Sequence, residues 1–310
     1  MRFLLLFCVL FFVSSCDILS GPTKLVGWGD SMMKGSGGDA SILEIISDEL
    51  DIAHKNFAVG GLQSNSIGVL QGGIPFKITF ENNIIKTDQS NALTYYNIAP
   101  LNFQTDQQRE GAIDSISGSI ERVSNINEPK KTLGYTFTTD DLEENFSIQD
   151  TVVFTFSNAV KYRDTWTIIW AGRNDKKAGD AIYTTRGHIQ AMIDYMGENA
   201  KNHYLVLSIC NGIADKEAKG STAHTNITRL NTVLEEAFGD HFVDIRRYMI
   251  DQAIYDMGMT PTLQDLEDIQ KDCIPRIFLN DNVHFNTLGY EATGKFLANI
   301  IKEKGWITEK

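Results

Sequence analysis

The sequence predicts an α/β fold, in which a parallel β-sheet carries helices on both faces and an all-β subdomain is inserted. Short β-branched and aromatic runs alternate with segments whose apolar residues recur at helical spacing, as in parallel sheets. Between residues 72 and 160 this alternation gives way to successive strand-like segments separated by turn residues. The chain of 310 residues is long enough for one large domain, or for a core with an insertion.

The elements of the core follow in chain order. Runs typical of buried strands predict strands over residues 25–29, 55–59, 166–170, 204–209 and 242–245. Apolar residues at helical spacing predict helices over residues 40–50, 182–198, 227–238 and 285–302. A shorter insertion over residues 248–274 is also predicted to be helical.

The β-rich insertion has its own strand patterns. They cover residues 74–80, 95–98, 135–138 and 151–156, with a segment rich in Gly and Ser over residues 111–120. The sequence therefore predicts a core over residues 17–71 and 161–310 and an inserted β-rich subdomain over residues 72–160. The pattern leaves open whether this subdomain is a small barrel or a sandwich.

The first 16 residues have the composition of an export signal. Arg2 precedes an apolar run over residues 3–13, which is too short to span a bilayer comfortably. The run ends in Val13-Ser14-Ser15-Cys16, which resembles a bacterial lipobox, in which the cysteine becomes the lipidated first residue. The resemblance implies an exported lipoprotein of the bacterial cell envelope, anchored to a membrane through Cys16; the alternative is an ordinary secretory peptide.

Charge and cysteine content narrow the classes of partner. The formal net charge is −12 without a basic stripe, which argues against a nucleic-acid partner. Of the four cysteines, Cys210 and Cys273 lie beyond the signal region, and they are expected to be buried thiols or, as a second choice, a disulfide. There is no Cys/His cluster with zinc-ligand spacing, so neither a metal nor another cofactor is predicted.

Residues able to support nucleophilic catalysis follow the predicted strands. Ser31 comes directly after the first strand, and on its own it would be interpreted as turn or helix-cap chemistry. Gly60 and Gly61 follow the second strand, and Asn174 follows the third. Ligands bind beyond the carboxyl ends of parallel strands, so these residues are expected to share one site.

The loop before the last helix supplies the remaining groups. Asp281 and His284 are three residues apart, a spacing at which the carboxylate can meet Nδ1 of the imidazole. Nε2 would then be left to take the proton from Ser31. The conjunction predicts a Ser31–His284–Asp281 triad.

Four short motifs together resemble the SGNH (GDSL-type) hydrolase family. They are Gly29-Asp30-Ser31-Met32-Met33-Lys34-Gly35, Asn56-Phe57-Ala58-Val59-Gly60-Gly61, Gly172-Arg173-Asn174-Asp175 and Asp281-Asn282-Val283-His284. The resemblance covers roughly residues 24–71 and 165–304. It implies a flavodoxin-like three-layer α/β/α sandwich and a serine hydrolase that cleaves esters without a cofactor.

The resemblance also implies a role for each matching residue. Ser31 would be the nucleophile, His284 the general base and acid, and Asp281 the group that orients the imidazole. The oxyanion hole would consist of the backbone N–H groups of Ser31 and Gly61 and the side chain of Asn174. Residues assigned a lesser role are Asp30 and Asp175, as structural groups, and Arg173 and Gly60, as possible substrate contacts.

The substrate is expected to be an acetyl ester on a polysaccharide or glycan. The expectation rests on predicted export, on the β-rich insertion and on aromatic residues able to stack on sugars, namely Trp28, Tyr95, Tyr96 and Trp170. Each aromatic could instead pack in the core. Two alternatives are a lipolytic or short-chain carboxylesterase and, from another class, a surface-anchored glycan-binding lipoprotein.

Overall fold

The computed structural model of the protein describes residues 24–87, 89–104, 108–212 and 214–307. Its strands, in chain order, are β1 (Leu25–Gly29), β2 (His54–Asn56), β3 (Phe76–Phe80), β4 (Ile84–Ile85), β5 (Asn91–Tyr96), β6 (Gln108–Ile113), β7 (Ile116–Asn125), β8 (Glu128–Thr138), β9 (Phe146–Ser147), β10 (Val152–Phe156), β11 (Trp166–Trp170), β12 (Tyr204–Leu207) and β13 (Phe242–Val243). The predicted signal region and its lipidation site, Cys16, lie outside the described residues, so both stay predictions. In the described part of the chain no helix is both long and apolar enough to cross a bilayer.

The helices connect the strands of the core and form the second insertion. They are α1 (Ser31–Lys34), α2 (Ile42–Leu50), α3 (Ser64–Gln71), α4 (Ser157–Lys161), α5 (Ala181–Tyr195), α6 (Glu198–Asn202), α7 (Ala214–Glu217), α8 (Thr222–Phe238), α9 (Ile245–Asp251), α10 (Ala253–Asp256), α11 (Leu263–Gln270) and α12 (Thr287–Glu303). Short 3₁₀ turns lie at Glu81–Asn83, Gly239–His241 and Arg276–Phe278. Side-chain caps start several helices; for example, Ser41 and Glu44 form a capping box on α2.

The parallel sheet positions the catalytic candidates. Its five strands lie in the order β13-β12-β11-β1-β2, and β1 is paired in parallel on both sides, with β11 and with β2. All five residues of β1 are buried, as expected for a central parallel strand with both faces covered. Helices α3, α5 and α8 pack in sequence, while α12 packs on α2 and α9. The carboxyl ends of β1 and β11 therefore open at the same edge of the sheet.

The inserted segment forms a closed antiparallel barrel. Its six strands lie in the order β10-β3-β5-β8-β7-β6, and the pairing of β10 with β6 closes it. Alternate residues face inward, and the barrel core is largely aromatic: it contains Phe76, Phe80, Tyr135, Phe137, Phe154 and Phe156. Their rings meet mostly edge to face, an arrangement that aromatic quadrupoles favour. Of the two forms that the sequence left open, the structure has the barrel.

The predicted fold class, a flavodoxin-like three-layer sandwich, is wrong as a description of this fold. The barrel has six strands and the parallel sheet five, so the chain has a mixed α/β fold with two principal sheets of similar size. Strand–helix alternation in the sequence identifies segments that pair in parallel. It carries no information on barrel closure, which depends on β6 and β10 meeting across a long stretch of chain. The segment over residues 111–120, noted only for Gly and Ser, supplies parts of β6 and β7.

The two remaining cysteines do not form a disulfide. Cys210 and Cys273 are both buried free thiols. Burial raises the pKa of Cys273 to about 11 and that of Cys210 further still. Both are therefore protonated at neutral pH and poorly suited to nucleophilic chemistry.

Candidate active site

Ser31 lies at the sharp turn between β1 and α1. The Asp30 carboxylate caps the helix by accepting a hydrogen bond from the N–H of Met32 at 2.9 Å. Gly29 makes the turn possible, because a Cβ there would lie 2.5 Å from the carbonyl oxygen of Trp170. Gly35 closes the helix with φ of 86°, a left-handed conformation that glycine adopts at little cost. Ser31 itself remains 9% exposed, at the end of an otherwise buried segment.

The structure brings the three predicted triad residues together. His284 Nε2 lies 2.8 Å from Ser31 Oγ, and His284 Nδ1 lies 2.8 Å from Asp281 Oδ2. With Nδ1 protonated and donating to the carboxylate, Nε2 carries the lone pair that accepts the hydrogen bond of the Ser31 hydroxyl. This is the geometry in which a histidine can act as a general base.

Asp281 also organises the loop that carries His284. Its Oδ1 accepts hydrogen bonds from the backbone N–H groups of Val283 and His284, both at 2.7 Å. Burial acts to raise the pKa of Asp281, but the hydrogen bonds from the backbone and ring of His284 and from Val283 outweigh it and hold this pKa below its ordinary value. The carboxylate is thus ionised where it must stabilise an imidazolium.

Neighbouring backbone holds the same loop in place. The N–H of Asn280 donates to the carbonyl of His284 at 2.9 Å, and Leu279 forms an antiparallel bridge with Phe285. Gly212 lies so close that a Cβ would come within 1.8 Å of the Asn282 carbonyl oxygen. The imidazole is therefore carried by a braced loop, as a preorganised base requires.

Three N–H groups lie just after neighbouring strands of the parallel sheet: those of Ser31 after β1, Gly61 after β2 and Asn174 after β11. The Ser31 amide is the first of α1, and amides at that position have no partner within their helix. Gly61 has φ of 77°, a left-handed conformation that glycine adopts at little cost. Among the described residues, no backbone carbonyl accepts from either amide.

Asn174 supplies the third N–H group. Its side-chain nitrogen donates to the carbonyl of Leu62 at 3.0 Å, which ties the amide to the Gly61 turn and leaves its second N–H. Asp175 fixes the loop behind it, accepting from the Ser64 N–H at 2.8 Å and the Thr185 hydroxyl at 2.7 Å. The structural role expected for Asp175 agrees with these contacts.

Gly60 and Arg173, the two possible substrate contacts, are engaged by other groups. The Gly60 carbonyl accepts from the Asn102 side chain at 2.8 Å, and a Cβ at Gly60 would lie 2.0 Å from the Gln104 side-chain oxygen. The Arg173 guanidinium forms an ion pair with Glu217 at 2.9 Å, and only 12% of its side chain is exposed. Gly60 thus admits a neighbouring segment, and Arg173 braces the loop that precedes Asn174.

That neighbouring segment, between β5 and β6, was not predicted to belong to the site. Asn102, Phe103 and Gln104 lie in it, and the side chains of Asn102 and Gln104 reach the Gly60–Gly61 turn. Phe103 is 46% exposed, with the Lys130 ammonium 5.4 Å above its ring. No local signal in the sequence identifies these residues, since a contact between the barrel and the sheet is a property of the tertiary fold.

Of the aromatic residues expected to stack on sugars, two are core residues. Trp28 is 3% and Trp170 1% exposed, and the Trp170 indole donates to the Ser208 carbonyl at 3.1 Å. Tyr96 packs edge to face on Tyr135. Tyr95, on β5, is 51% exposed. Phe103, which lies in the chain between Asn102 and Gln104, is also exposed.

Asp30 is fully buried next to the nucleophile. One carboxylate oxygen caps α1, whereas Oδ2 has no hydrogen-bond partner among the described residues. Burial raises the pKa of Asp30 to about 6, against the lowering effects of the Met32 N–H and of Arg173. Asp30 is therefore a structural group held at an electrostatic cost, and it does not contact His284 by any hydrogen bond in the described structure.

A second polar cluster lies beyond the Asn174 loop. The Ser64 hydroxyl contacts both the Asp175 carboxylate and His188 Nδ1, the latter at 2.8 Å, at the wall of a cavity of about 300 Å³. Desolvation lowers the pKa of His188, although Asp175 opposes this effect. Ser64 is fully buried, so this cluster joins α3 to α5 and does not present a nucleophile.

No family model matches the chain. Over 268 residues, which is 81% of this chain, it is 25% identical to the tail spike protein of Salmonella phage epsilon15. The matched part is 24% of the length of that protein, so the chain spans about a quarter of it.

These comparisons contradict the assignment to the SGNH (GDSL-type) family and to a lipoprotein of that family. The motifs that suggested it are short and rich in turn residues, and such motifs recur in unrelated proteins. A Ser-His-Asp arrangement likewise recurs on unrelated folds and is recognised by geometry. The distances among Ser31, His284 and Asp281 therefore stand without a family to support them.

Proposed function

We propose that the protein is a serine esterase whose nucleophile is Ser31. The observation that carries the proposal is the continuous hydrogen-bonded chain from Ser31 Oγ through both nitrogens of His284 to Asp281, with 2.8 Å at each step. The name of the similar protein, a phage tail spike, says nothing about ester chemistry. The proposal rests on geometry alone.

In the proposed reaction, Ser31 Oγ attacks the ester carbonyl while its proton passes to His284 Nε2. The imidazolium that forms is stabilised by the ionised Asp281. Collapse of the tetrahedral intermediate releases the alcohol, which takes the proton from His284, and leaves an acyl-serine. Water, activated by the same imidazole, then hydrolyses the acyl group and restores Ser31.

The proposed oxyanion hole consists of the amides of Ser31 and Gly61 and the free N–H of the Asn174 side chain. Within the described ranges no backbone carbonyl accepts from the Ser31 or Gly61 amide, which supports this assignment, because donors aimed at a developing charge are effective when they are held in advance. Removing one such donor typically lowers kcat by about 10²–10³-fold.

We propose acetyl groups on a glycan as the substrate. Phe103 is an exposed aromatic residue between Asn102 and Gln104, whose side chains reach the Gly60–Gly61 turn, and aromatic faces suit the apolar faces of sugar rings. The experiment below tests this proposal against two alternatives. One is a lipolytic or short-chain carboxylesterase, and the other is a glycan-binding protein without enzymatic activity.

The test is acetate release from acetylated xylan, acetylated pectin fragments, sialosides and peptidoglycan, compared with p-nitrophenyl esters of increasing chain length. Ser31→Ala is expected to abolish both acetate release and labelling by a fluorophosphonate. Ser36→Ala is the matched control, because its side chain forms no hydrogen bond with any described residue. A preference for long acyl chains would contradict the glycan substrate, and glycan binding without cleavage of any ester would contradict the esterase.

A further inference from the structure

A polar cavity of about 440 Å³ lies between the core and the barrel, beside the Gly60–Gly61 turn. Its volume is within the range of small-molecule sites. The wall is formed by α1, by α2, by β2 with the residues that continue it, and by barrel residues. Its lining residues used below are Lys34, Glu44, His54, Val59, Gln104 and Arg109. We call this space the barrel cleft.

The barrel cleft is connected to the nucleophile by short stretches of chain. Lys34 ends α1, the helix that Ser31 begins. Val59 directly precedes the two glycines, and its N–H donates to the Gly29 carbonyl at 3.1 Å. Gln104 contacts Gly60 from the barrel side. Helix α1 and the residues that follow β2 thus contribute both to the barrel cleft and to the candidate active site.

Two cations face the barrel cleft in a protein whose net charge is −12. They are Lys34 from α1 of the core and Arg109 from β6 of the barrel. No ion pair joins either of them to a carboxylate of the described residues. A lysine or arginine without an ion pair is ordinarily a solvated surface group. These two differ because they come from different parts of the fold and line the same cavity.

The one carboxylate in the lining is already engaged. Glu44 Oε2 accepts the Ser41 N–H at 2.6 Å in the capping box of α2. Desolvation lowers the pKa of His54, although Glu44 and Asp48 oppose this effect. The neutral form of its imidazole is therefore favoured. Glu44 keeps its charge, so two cations against one carboxylate leave these described lining residues with a formal charge of +1 when His54 is neutral.

We propose that the barrel cleft binds the carboxylate of an acidic sugar, so that the substrate is an acetylated anionic glycan. Arg109 presents a planar guanidinium that matches a carboxylate, and Lys34 adds a point charge on the side of the nucleophile. Gln104 and His54 offer hydrogen bonds to ring hydroxyls. This inference rests on the proposed esterase for its substrate, but the binding step can be measured without catalysis.

The experiment uses the intact protein and ligands that contain no ester. Calorimetric titration with trigalacturonic acid is expected to show binding at least about 10-fold tighter than with xylotriose, because hydrogen bonds to charged groups contribute about 1.5–3 kcal/mol. Affinity for the acid should fall as salt increases. Inorganic phosphate is titrated separately, so that a site for phosphate alone is distinguished from a site for a sugar carboxylate.

The variant Lys34→Gln/Arg109→Gln is expected to lose this preference by about 10-fold or more. Its control, Arg229→Gln/Lys302→Gln, removes the same charge from exposed positions on α8 and α12 and should retain it. Circular dichroism verifies that both variants fold. Any of four results would overturn the proposal. They are equal affinity for the two trisaccharides, equal losses of preference in the two double variants, binding of phosphate but not of trigalacturonic acid, and no binding of trigalacturonic acid up to about 10 mM.

The outcomes separate the two proposals. Tight binding of trigalacturonic acid by a protein that cleaves no ester would leave the barrel cleft as a carboxylate site and refute the esterase. Cleavage of neutral acetyl esters, with no preference for binding the acidic trisaccharide, would support the esterase and refute the carboxylate site.

Discussion

Asp30 carries a negative charge into the core beside Ser31, and only one of its two carboxylate oxygens has a partner among the described residues. Its raised pKa, about 6 against an ordinary 3.8, means that the folded protein holds this proton more tightly than the unfolded chain. Between these two values the folded state binds more protons, so the free energy of unfolding falls as pH rises through this window. Above pH 6 the whole penalty is present, on the order of 1–3 kcal/mol.

Asp30→Asn is therefore expected to raise the free energy of unfolding at pH 8 relative to wild type, and to have a smaller stabilising effect, or a destabilising one, at pH 4. An amide keeps an acceptor for the Met32 N–H and carries no charge. Urea unfolding at the two pH values measures the difference. Asp140→Asn, at an exposed turn, is the control, and a difference that does not change with pH would show that Asp30 is not ionised at a cost.

At the scale of elements, the segment between β5 and β6 joins the barrel to the candidate active site. Ala99, in this segment, accepts a hydrogen bond from the Ser66 hydroxyl of α3 at 2.7 Å, and the Leu101 carbonyl accepts from Tyr135 of the barrel at 2.6 Å. Asn102 then contacts the Gly60 carbonyl. Phe103 is thus an exposed residue whose neighbours in the chain, Asn102 and Gln104, both contact the Gly60–Gly61 turn, and such fixed neighbours preorganise a binding platform.

Phe103→Ala is expected to raise KM for an acetylated polysaccharide by about 3–10-fold, the equivalent of one aromatic contact of 0.5–1.5 kcal/mol. The ratio of kcat/KM for the polymer to that for p-nitrophenyl acetate should fall by the same factor. Tyr255→Ala removes another exposed aromatic ring, 58% exposed on α10, and serves as the control. An equal loss on both substrates would assign Phe103 a structural role.

The same elements show how much the sequence can predict. Ser31, Asn174 and His284 each follow a strand or precede a helix in segments with clear turn residues, so local pattern was enough to expect them at one sheet edge. The strand over Leu25–Gly29 and the strand over Trp166–Trp170 have the predicted bounds. Local pattern is informative here because parallel strands place their carboxyl ends together by rule.

The barrel escapes this kind of reasoning. β7 and β8 extend to Asn125 and Thr138 through largely polar, exposed residues, which give no strong strand pattern. The position of Gln104 against Gly60 depends on how the closed barrel sits on α3 and α4, which no short motif encodes. The assignment to the SGNH family failed for a related reason. Four short motifs can predict which side chains meet at a site, but they do not show that two proteins are related.

On the scale of the whole molecule, the barrel and the parallel sheet share one hydrophobic core. Buried residues of both belong to a single connected cluster, and Phe156 of the barrel lines a small cavity together with Trp28 of the sheet. Trp28 also stacks on Phe57, which contacts Tyr162 just after α4. A shared core of this kind predicts that the two parts unfold in one cooperative transition.

The tryptophans make this coupling measurable, because all four lie outside the barrel strands, at positions 28, 166, 170 and 306. Phe154, by contrast, is 1% exposed inside the barrel, packed on Phe76, Phe137 and Phe156. Phe154→Ala should lower the free energy of unfolding by about 3–5 kcal/mol, the usual cost of emptying a buried aromatic site. If the core is shared, the barrel and the parallel sheet unfold together. The free energy of unfolding measured by tryptophan fluorescence should then fall by the same amount.

Urea unfolding followed by tryptophan fluorescence and by far-ultraviolet circular dichroism should therefore shift together in Phe154→Ala, with coincident midpoints. Val153→Ala is the matched control, since its side chain lies on the outer face of the same strand and is 42% exposed; it should move neither signal by more than about 0.5 kcal/mol. A fluorescence midpoint that stays at the wild-type value while the dichroism signal shifts would mean that the barrel unfolds alone. In that case the Phe103 segment and the barrel cleft could separate from Ser31 without loss of the parallel sheet, and substrate binding would be lost at lower urea than the fluorescence transition.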